Sequence, residues 1–430
     1  MSDQTPSNPT PAQPDSNHRG DDTLDAALEY PRVRVKPGRH FPFLARHPWV
    51  HAHALVPEKN SLRRGDIVDL VDIDGGFLGR GLINPDSKLR VRLYSFDPQQ
   101  PLDAAFWCGR IDAALARRCL IDGQSVERQS PDQQAERLIF SESDLLSGLI
   151  VDRYADTLSV QFAAGGLLKW RDVILDHLRS ACGARQIVVR IDEKTASLEN
   201  IDPEVASQVI PESLLDGEVL YQQNGLQLAV DLLGGQKTGG YLDQRLNHLV
   251  AAEYCKGKRV LDVCCYTGGF GLVAAKHGAE SVLGIDSSAA ALETAQQNAQ
   301  RNELNQLDFR QGDCFDVLKD LADEGQQFGV VVLDPPRFAG SRHQVRQALR
   351  AYSRLNSMAM RLLPPGGVLV TCSCSGRVSR ADFLNMLVDV GKRTRRDLII
   401  LENRGPAPDH PLAVSCPESN YLKCVIAQAQ

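Results

Sequence analysis

Two short segments of the sequence combine reactive side chains with residues that end or stiffen a strand. Asp334 opens the run Asp-Pro-Pro-Arg, in which two prolines lack N–H donors and restrict the backbone. Cys374 stands between two serines at the end of an apolar stretch that begins at Gly367. A thiolate that adds to carbon 6 of cytosine makes carbon 5 nucleophilic enough to take a methyl group, and a carboxyl group can hydrogen-bond ring nitrogen 3. Together, Cys374 and Asp334 favour methyl transfer to a pyrimidine carbon.

A second thiol and two other functions stay open on these residues. Cys372 shares the strand with Cys374, but Cys374 is nearer the carboxyl edge, where open α/β sheets bind ligands. We therefore expect Cys372 behind it in the core, the usual place of an inert cysteine. Methylation of a guanine or adenine nitrogen needs no thiol, and Cys374 would then only fill space. The third reading is an RNA-binding assembly factor that keeps a vestigial cofactor fold.

The turn after the first strand of this region has the features of a site for S-adenosylmethionine. It leads from Asp262 into a helix through Tyr266, Thr267, Gly268, Gly269 and Phe270. A dinucleotide would require GxGxxG there, whereas an acid at the strand end suits the amino group of a methionine moiety. Asp286 and Asp313 end the next two strands, where carboxylates can accept from ribose hydroxyls and an adenine amino group. A lone acid is more often a helix N-cap, but three at consecutive strand ends predict this cofactor.

Strand and helix patterns alternate from about residue 234 to the end of the chain. The predicted strands are Arg259–Val263, Ser281–Ile285, Asp308–Gln311, Val330–Leu333, Gly367–Cys372, Leu398–Glu402 and Tyr421–Ala427. Short loops between alternating strands and helices indicate right-handed crossovers and an open parallel sheet. The sequence therefore predicts an α/β fold, a Rossmann-like class I methyltransferase domain with a seven-stranded, mostly parallel sheet.

The preceding residues predict two smaller domains behind a polar tail. The predicted units are a disordered acidic tail (1–30), a small β-barrel domain (31–104), a central α+β domain (105–233) and the methyltransferase domain (234–430). The barrel is indicated by alternating strands around the turn Asp74-Gly75-Gly76. In the central domain, Trp107, Ile111 and Leu115 recur at helical spacing, and a hairpin closes the domain around Val219–Leu232.

Composition argues against several classes of protein. The chain has 430 residues, a net charge of −6 and no apolar run long enough to span a membrane, and we expect no secretory signal. Its eleven cysteines include no CxxC pair, so we expect reduced thiols in the cytoplasm rather than disulfides or zinc. Residues 31–95 carry twelve Lys and Arg against six Asp and Glu, whereas residues 1–29 carry six acids and one base. A basic module of this kind is compatible with a phosphate-bearing partner.

Five motifs in register resemble the ribosomal RNA large subunit methyltransferase I family. They are Gly235–Arg245, Tyr266–Phe270, Asp334–Arg337, Ser373–Gly376 and Asp409–Pro411, within a resemblance that covers essentially residues 31 to 428. The resemblance implies a PUA domain, a central α+β domain and a Rossmann-like domain that uses S-adenosylmethionine. It also implies formation of 5-methylcytosine in 23S ribosomal RNA, with large-subunit ribosomal RNA as partner. We further predict no metal cofactor and allow for a homodimer.

Carried over by position, the resemblance implies Cys374 as the nucleophile and Asp334 as its acidic companion. It assigns Asp286 and Asp313 to ribose and adenine, and the segment around Tyr266–Phe270 to the cofactor. Gln244 is predicted to border the cofactor. The presence of Cys372 leaves a second candidate nucleophile.

The substrate side is implied in the same way. Arg337, Arg245 and Lys237 are assigned to the substrate, with Arg337 at a position where the family more often has lysine, so that a cation is kept. RNA is recognised largely through shape, single-stranded elements and its backbone, so basic residues of the barrel are candidate phosphate contacts. These are Arg46, Arg63, Arg64, Lys88, Arg90 and Arg92.

Overall fold

The computed structural model describes residues 29–57, 61–122, 133–202, 208–210, 218–234, 238–340 and 342–430. Lys237 and nearly all of the predicted acidic tail lie outside the described residues. Within the described ranges, no helix is both long and apolar enough to cross a membrane. All eleven cysteines are described, and none forms a disulfide. Short 3₁₀ helices are found at Ala52–Ala54, Ser141–Asp144, Gly165–Trp170, Leu242–Gln244, Arg342–Gln344 and Pro417–Ser419.

The first unit is a five-stranded sheet that closes into a small barrel. Its elements are β1 (Arg32–Arg34), α1 (Phe41–Leu44), β2 (Trp49–His51), β3 (Ile67–Val71), β4 (Phe77–Ile83) and β5 (Leu89–Ser95). The strand order is β1-β3-β4-β5-β2, and an antiparallel bridge between Val35 and Leu55 joins the two edges. Val68, Leu70 and Val91 pack in the interior, because alternate side chains of a strand point to one face.

The second unit packs helices against a second five-stranded sheet. Its elements are α2 (Ala104–Asp122), β6 (Ala135–Phe140), β7 (Leu149–Tyr154), β8 (Thr157–Phe162), α3 (Arg171–Cys182), β9 (Gln186–Arg190), α4 (Glu193–Glu199) and β10 (Gln208–Ile210). The order is β10-β9-β8-β7-β6, in which only β8 and β9 run parallel. Trp107, Ile111 and Leu115 of α2 are buried in the core of this unit, as their helical spacing predicted.

A separate hairpin joins the second unit to the third. Its strands are β11 (Glu218–Gln223) and β12 (Leu226–Asp231). Asn224 and Gly225 form the turn with φ values of 55° and 70°, the positive values that a type I′ turn requires. Tyr221 packs edge-on against Tyr154 of β7 at 5.2 Å. On its other side, the backbone N–H of Ala229 donates to a helix of the third unit, so the hairpin belongs to neither unit alone.

The third unit is an open sheet of seven strands with helices on both faces. Its elements are α5 (Arg245–Glu253), β13 (Arg259–Val263), α6 (Gly269–Lys276), β14 (Ser281–Asp286), α7 (Ala289–Arg301), β15 (Leu307–Gln311), α8 (Cys314–Asp323), β16 (Val330–Leu333), α9 (Val345–Leu362), β17 (Val368–Ser373), α10 (Arg380–Thr394), β18 (Leu398–Arg404) and β19 (Lys423–Ala429). The order is β15-β14-β13-β16-β17-β19-β18, and only β19 runs antiparallel to its neighbours. The predicted α/β fold and its seven strands are confirmed. The order reverses between β13 and β16, which creates a crevice at their carboxyl ends.

Buried polar contacts fasten the second unit to the third. Arg118 of α2 donates to both carboxylate oxygens of Asp144, at 2.6 and 2.7 Å. The same guanidinium donates to the backbone carbonyl of Asp409 at 2.9 Å. The Asp409 carboxylate in turn accepts from the backbone N–H of Arg137 at 2.8 Å. Because Asp409 lies in the loop before β19, these contacts fix the central sheet against the seven-stranded sheet.

Candidate active site

A cavity of about 1340 Å³ opens at the carboxyl ends of the parallel strands and reaches across to the barrel. The predicted site residues that line it are Gln244, Tyr266, Thr267, Gly269, Phe270, Asp286, Asp313, Asp334, Arg337 and Cys374. Asp262, Gly268 and Arg245 are not part of this lining, and Lys237 lies outside the described residues. Residues that span positions 244 to 374 of the chain are thus brought to one cleft, because parallel strands end on the same edge.

The turn that follows β13 is held in a left-handed backbone conformation. Tyr266 and Gly268 have φ values of 51° and 89°, a region that non-glycine residues rarely adopt. The N–H of Tyr266 donates to Asp286 Oδ2 at 2.9 Å, which ties the turn to the end of β14. A Cβ atom on Gly269 would lie 2.6 Å from the partly buried His248 ring, so a larger residue could start α6 only by displacing that ring.

Asp262 lies behind this turn rather than in the cleft. Its side chain is 1% exposed, and Oδ2 accepts from the N–H of Gly271 in α6 at 2.8 Å. Oδ1 is buried without a hydrogen-bond partner among the described residues. Burial raises the pKa of Asp262 to about 7, because a charged carboxylate is poorly solvated there. This position suits support of α6, not the direct contact with a cofactor amino group that we predicted.

Asp286 and Asp313 both line the cleft, and each also organises backbone. Asp286 accepts from the N–H groups of Tyr266 and Ser288, both at 2.9 Å. Asp313 is the N-cap of α8 and accepts from the N–H of Phe315 at 2.8 Å. Phe315 adds an apolar ring beside these carboxylates. Apolar surface with a few fixed acceptors is the surface that an adenosine group needs, so these residues fit S-adenosylmethionine.

Gln244 contacts the predicted catalytic carboxyl group. Its amide nitrogen donates to Asp334 Oδ2 at 3.2 Å, and its amide oxygen accepts from Asn247 at 2.7 Å. The backbone N–H of Asp334 donates to Val263 O at 3.2 Å, which places the start of the Asp-Pro-Pro loop over the end of β13. Because Asn247 occupies the oxygen end, the amide is oriented with its donor toward Asp334. Gln244 therefore positions Asp334, in addition to lining the cleft.

The two candidate thiols have different environments. Cys374 follows the end of β17, lines the cleft half-buried, and its Sγ atom lies 4.0 Å from the carbonyl oxygen of Pro335. Cys372 is fully buried among apolar residues where α5 and α6 pack on the sheet. Burial and the neighbouring Cys424 thiol raise the pKa of Cys372 well above its usual value. Only Cys374 of the two is open to the cleft, beside the Asp334 loop.

Two residues near Cys374 were missed in the sequence, and both are buried. Tyr352 of α9 contacts the hydroxyl groups of Ser373 and Ser375, at 3.0 and 3.1 Å, on either side of Cys374. Lys423, at the start of β19, donates to the carbonyl of Ser375 at 2.8 Å. A lysine inside the apolar run of a predicted strand was the signal for Lys423. Nothing local marked Tyr352, since an aromatic residue on a helix usually fills the core.

The two arginines assigned to substrate differ in exposure. Arg337 is exposed at the cleft, and its Nε donates to the carbonyl of Ala339 at 2.7 Å within its own loop. Arg245 is 6% exposed and forms an ion pair with Asp409. Although burial opposes it, His410 and Arg245 hold the pKa of Asp409 well below its usual range. Arg245 is therefore an internal ion-pair partner, and the substrate contact predicted for it does not fit its position.

The basic residues of the barrel divide into buried and exposed sets. Arg92 is 13% exposed and donates to Glu142 and to the carbonyl of Ala163, at 3.2 and 2.9 Å. Both partners belong to the central unit, so Arg92 joins two units and is not retained as a phosphate contact. Exposed basic residues are Arg46, Arg63 and Lys88, whereas Arg64 and Arg90 are partly buried. Lys88 lines the same cavity as Cys374.

One group of described side chains has the spacing of metal ligands: His47, Cys416 and Glu418. The backbone N–H of Trp49 donates to His47 Nδ1 at 3.2 Å, so the proton of this ring lies on Nε2. Nε2 then donates to Glu418 at 3.3 Å. A metal on Nε2 would need the opposite tautomer, with two N–H groups facing each other at Nδ1. The cluster is therefore a hydrogen-bonded contact between the barrel and the loop before β19.

The fold and the cleft together define a class of protein. An open sheet with its glycine turn at the switch point and carboxylates at the next two strand ends is a Rossmann-like methyltransferase domain. Residues 201–415 match the sequence profile of the S-adenosylmethionine-dependent methyltransferase family, and residues 33–96 match that of a PUA-like domain. The chain is thus a methyltransferase whose cofactor is S-adenosylmethionine, with a PUA-like barrel at its N-terminal side.

Two relatives and a solved structure narrow this class to a family. Ribosomal RNA large subunit methyltransferase I from Shewanella denitrificans is 39% identical over 406 residues, which cover 92% of this chain and 99% of that protein. The protein of the same name from Tolumonas auensis is 36% identical over 399 residues, with the same coverage. The chain therefore belongs to the ribosomal RNA large subunit methyltransferase I family. The crystal structure of SMU.776, complexed with SAH, supports the fold, with a TM-score of 0.78, 19% identity, and coverage of 93% of this chain and 100% of that one.

Proposed function

We propose that this enzyme methylates carbon 5 of a cytosine in large-subunit ribosomal RNA through a covalent bond to Cys374. The observation that carries the proposal is the position of the Cys374 thiol. It opens to the cleft 4.0 Å from the carbonyl of Pro335, next to Asp334, whereas Cys372 is buried. An enzyme that methylated a base nitrogen would not need a sulfur nucleophile at this edge.

Each protein group has a defined task in this mechanism. The Cys374 thiolate adds to carbon 6 of cytosine, and Asp334 hydrogen-bonds nitrogen 3, where charge develops. When bound, S-adenosylmethionine supplies the methyl group that carbon 5 takes. A base then removes the carbon 5 proton, the bond from sulfur to carbon 6 breaks, and Cys374 is regenerated. Gln244 holds Asp334 in place through its 3.2 Å hydrogen bond.

The cofactor side of the cleft is assigned to the strand ends of β14 and β15. In this proposal Asp286 accepts from ribose hydroxyls, and Asp313 lies beside the adenine. The turn Tyr266–Phe270 contacts the methionine half with its backbone, and Gly268 contributes its left-handed conformation rather than a contact. Asp262 supports the helix start from behind.

Two features of the cleft and the names of the relatives support an RNA substrate. Its volume of about 1340 Å³ exceeds the roughly 300–1,000 Å³ of sites for one small ligand, so it can hold a cofactor and a nucleotide. It continues to the PUA-like barrel, where Lys88 is exposed, and Arg337 stands at its rim. Both relatives carry ribosomal RNA in their names. A cytosine within a helix would have to flip out to reach Cys374. A cytoplasmic location, a homodimer and a role for Lys237 stay predictions.

The test is capture of the covalent intermediate. When fluorine replaces the hydrogen at carbon 5, there is no proton for the base to remove and Cys374 is not released. RNA carrying 5-fluorocytosine should therefore trap the enzyme in the presence of S-adenosylmethionine. We expect a denaturation-resistant adduct with the wild-type chain and with the control Cys372→Ala, and none with Cys374→Ala. The readout is a band of enzyme joined to a 23S ribosomal RNA transcript on a denaturing gel.

Two other outcomes would each point to a different function. A Cys374→Ala variant that methylates RNA at the wild-type rate would indicate transfer to a guanine or adenine nitrogen. Failure of the wild-type chain to bind S-adenosylmethionine in calorimetry would indicate an RNA-binding assembly factor. Mass mapping of modified nucleosides in ribosomal RNA from cells that lack the protein would identify the target base.

A further inference from the structure

A buried lysine lies directly behind the turn that carries Cys374. Lys423 is 2% exposed, and its ammonium group donates to the carbonyl oxygens of Ser375, Val378 and Tyr421, at 2.8, 2.9 and 2.7 Å. These three bonds use all the donors of the ammonium group. Two of them hold the residues that follow Cys374, so the lysine fixes the turn from the side of β19.

The same turn is held from the opposite side by Tyr352. Its phenol oxygen contacts the hydroxyl groups of Ser373 and Ser375, the two neighbours of Cys374. The Ser375 hydroxyl also accepts from the N–H of Ala339 at 3.3 Å, in the loop that begins with Asp334. The nucleophile therefore sits in a turn held by a lysine and a tyrosine from two distant segments.

Besides fixing the turn, Lys423 has an electrostatic effect on the Cys374 thiol. The phenols of Tyr241, Tyr352 and Tyr421 face Cys374, and burial raises the pKa of each, so they stay neutral. The groups that face Lys423 are Cys374 and the cationic Arg380. Burial lowers the pKa of Lys423 to about 8, while Cys374 favours its charged form. An ammonium group in low dielectric is costly, and a nearby thiolate offsets that cost.

We propose that Lys423 is a positioning residue for the nucleophile: its buried ammonium group fixes the turn that carries Cys374 and supplies the positive charge that stabilises the thiolate. The role of Cys374 as nucleophile rests on the function proposed above. The electrostatic part does not, because the reactivity of a thiol can be measured without RNA. Thiolate character is raised by a neighbouring cation, as at other reactive cysteines.

The test compares alkylation of Cys374 in the full chain with and without the charge. Lys423→Gln keeps N–H donors for the three carbonyl oxygens but has no charge, and Lys423→Met removes both the donors and the charge. The matched control is Lys392→Gln, at an exposed position. Iodoacetamide labelling is followed by peptide mass spectrometry from pH 6 to pH 9, with Cys374→Ala as the blank. We expect both Lys423 variants to label Cys374 about tenfold more slowly at pH 7, a shift of about one pH unit in the labelling midpoint. Lys392→Gln should match the wild-type chain.

Turnover separates the charge from simple structural support. We expect kcat for RNA methylation to fall at least about tenfold in Lys423→Gln, with KM for RNA within about twofold of wild type. Unchanged labelling at pH 7 in the folded Lys423→Gln variant, checked by its thermal unfolding, would overturn the proposal. A Cys374→Ala variant with full activity would instead overturn the proposed function, and the labelling result would still stand on its own.

Discussion

At the scale of single residues, the carboxyl group proposed to act in catalysis depends on Asn247, a side chain that is not part of the cleft lining. Gln244 can donate to Asp334 only through its amide nitrogen. Asn247 secures that orientation by donating to the amide oxygen, and Arg404 fixes Asn247 through its side-chain oxygen at 2.9 Å. This chain of contacts therefore fixes the position of the Asp334 carboxyl group.

Asp262 gives a prediction for stability against pH. Its pKa in the folded state is raised to about 7 from 3.8, so its contribution to stability is complete below about pH 4 and is lost as the pH rises through 7. Asp262→Asn keeps an acceptor for the N–H of Gly271 and carries no charge. We expect the free energy of unfolding of the variant, relative to wild type, to increase by about 2 to 3 kcal/mol between pH 5 and pH 8.

Urea denaturation at the two pH values, without cofactor, measures this difference. The control is Asp389→Asn, at an exposed position on α10, whose effect should be the same at both pH values. If the difference between Asp262→Asn and wild type stayed constant from pH 5 to pH 8, the raised pKa of the buried carboxyl would be refuted.

At the scale of elements, the insertion of β19 between β17 and β18 shapes the turn that carries Cys374. Lys423 is paired with Ser373 in the antiparallel register of β17 and β19. The start of β19 therefore meets the end of β17, and the lysine reaches the carbonyls just beyond it. A parallel strand in this place would bring its carboxyl end there instead, with a different part of the chain.

The barrel gives a prediction about how closely two strands approach. Gly81 of β4 faces Leu93 of β5, and a Cβ atom on it would lie 2.1 Å from the carbonyl oxygen of Arg92. The carbonyl oxygen of Arg92 belongs to a paired strand and can move only if the backbone shifts. We therefore expect Gly81→Ala to lower the free energy of unfolding by about 2 to 3 kcal/mol. The control Gly109→Ala lies on the exposed side of α2 with no atom within 4 Å, and should raise it by up to about 1 kcal/mol. Urea denaturation of both variants checks this; equal effects would show that the approach at Gly81 is not limiting.

At the scale of the whole molecule, the cleft is built by all three units. The barrel contributes Trp49, His51 and Lys88 to its lining, and the central unit contributes Phe140 and Glu142. The contact between the barrel and the central unit therefore decides where the barrel face stands relative to Cys374. Loss of that contact would separate the two ends of the proposed RNA site.

Substitution of two basic residues of the barrel should have different effects: one on stability and the other on RNA binding. Arg92→Met breaks a mostly buried ion pair with Glu142, and we expect a loss of about 3 kcal/mol in the free energy of unfolding.

Lys88→Met removes an exposed charge, so the free energy of unfolding should be unchanged. The Lys88→Met variant should bind a ribosomal RNA fragment more weakly. The slope of its log affinity against log salt should be smaller by about 0.7 to 0.9. Filter binding across salt concentrations and urea denaturation test both; an unchanged salt slope in Lys88→Met would remove it from the RNA face.

The sequence by itself determined the elements and the edge at which the site lies. Apolar runs bounded by turn residues predicted Arg259–Val263 and Val330–Leu333 with the bounds that the structure has. Because parallel strands in such a fold end on one edge, Asp286, Asp313 and Asp334 could be assigned to one cleft without knowledge of any contact. The glycine turn and the family motifs were local, and local pattern is sufficient to identify them.

Only the tertiary structure decided which of these side chains face the cleft. Cys372 and Cys374 are two positions apart, yet Cys372 is buried in the apolar core of the sheet and Cys374 is open beside Pro335. Asp262 and Arg245 were predicted at the site and are covered by α6 and by the loop of Asp409. Burial of a side chain depends on segments remote in the chain, which periodicity and spacing do not specify. The three carbonyl oxygens around Lys423 are brought together in the same way. Two belong to Ser375 and Val378, more than 40 positions earlier in the chain, and the third belongs to Tyr421, just before β19.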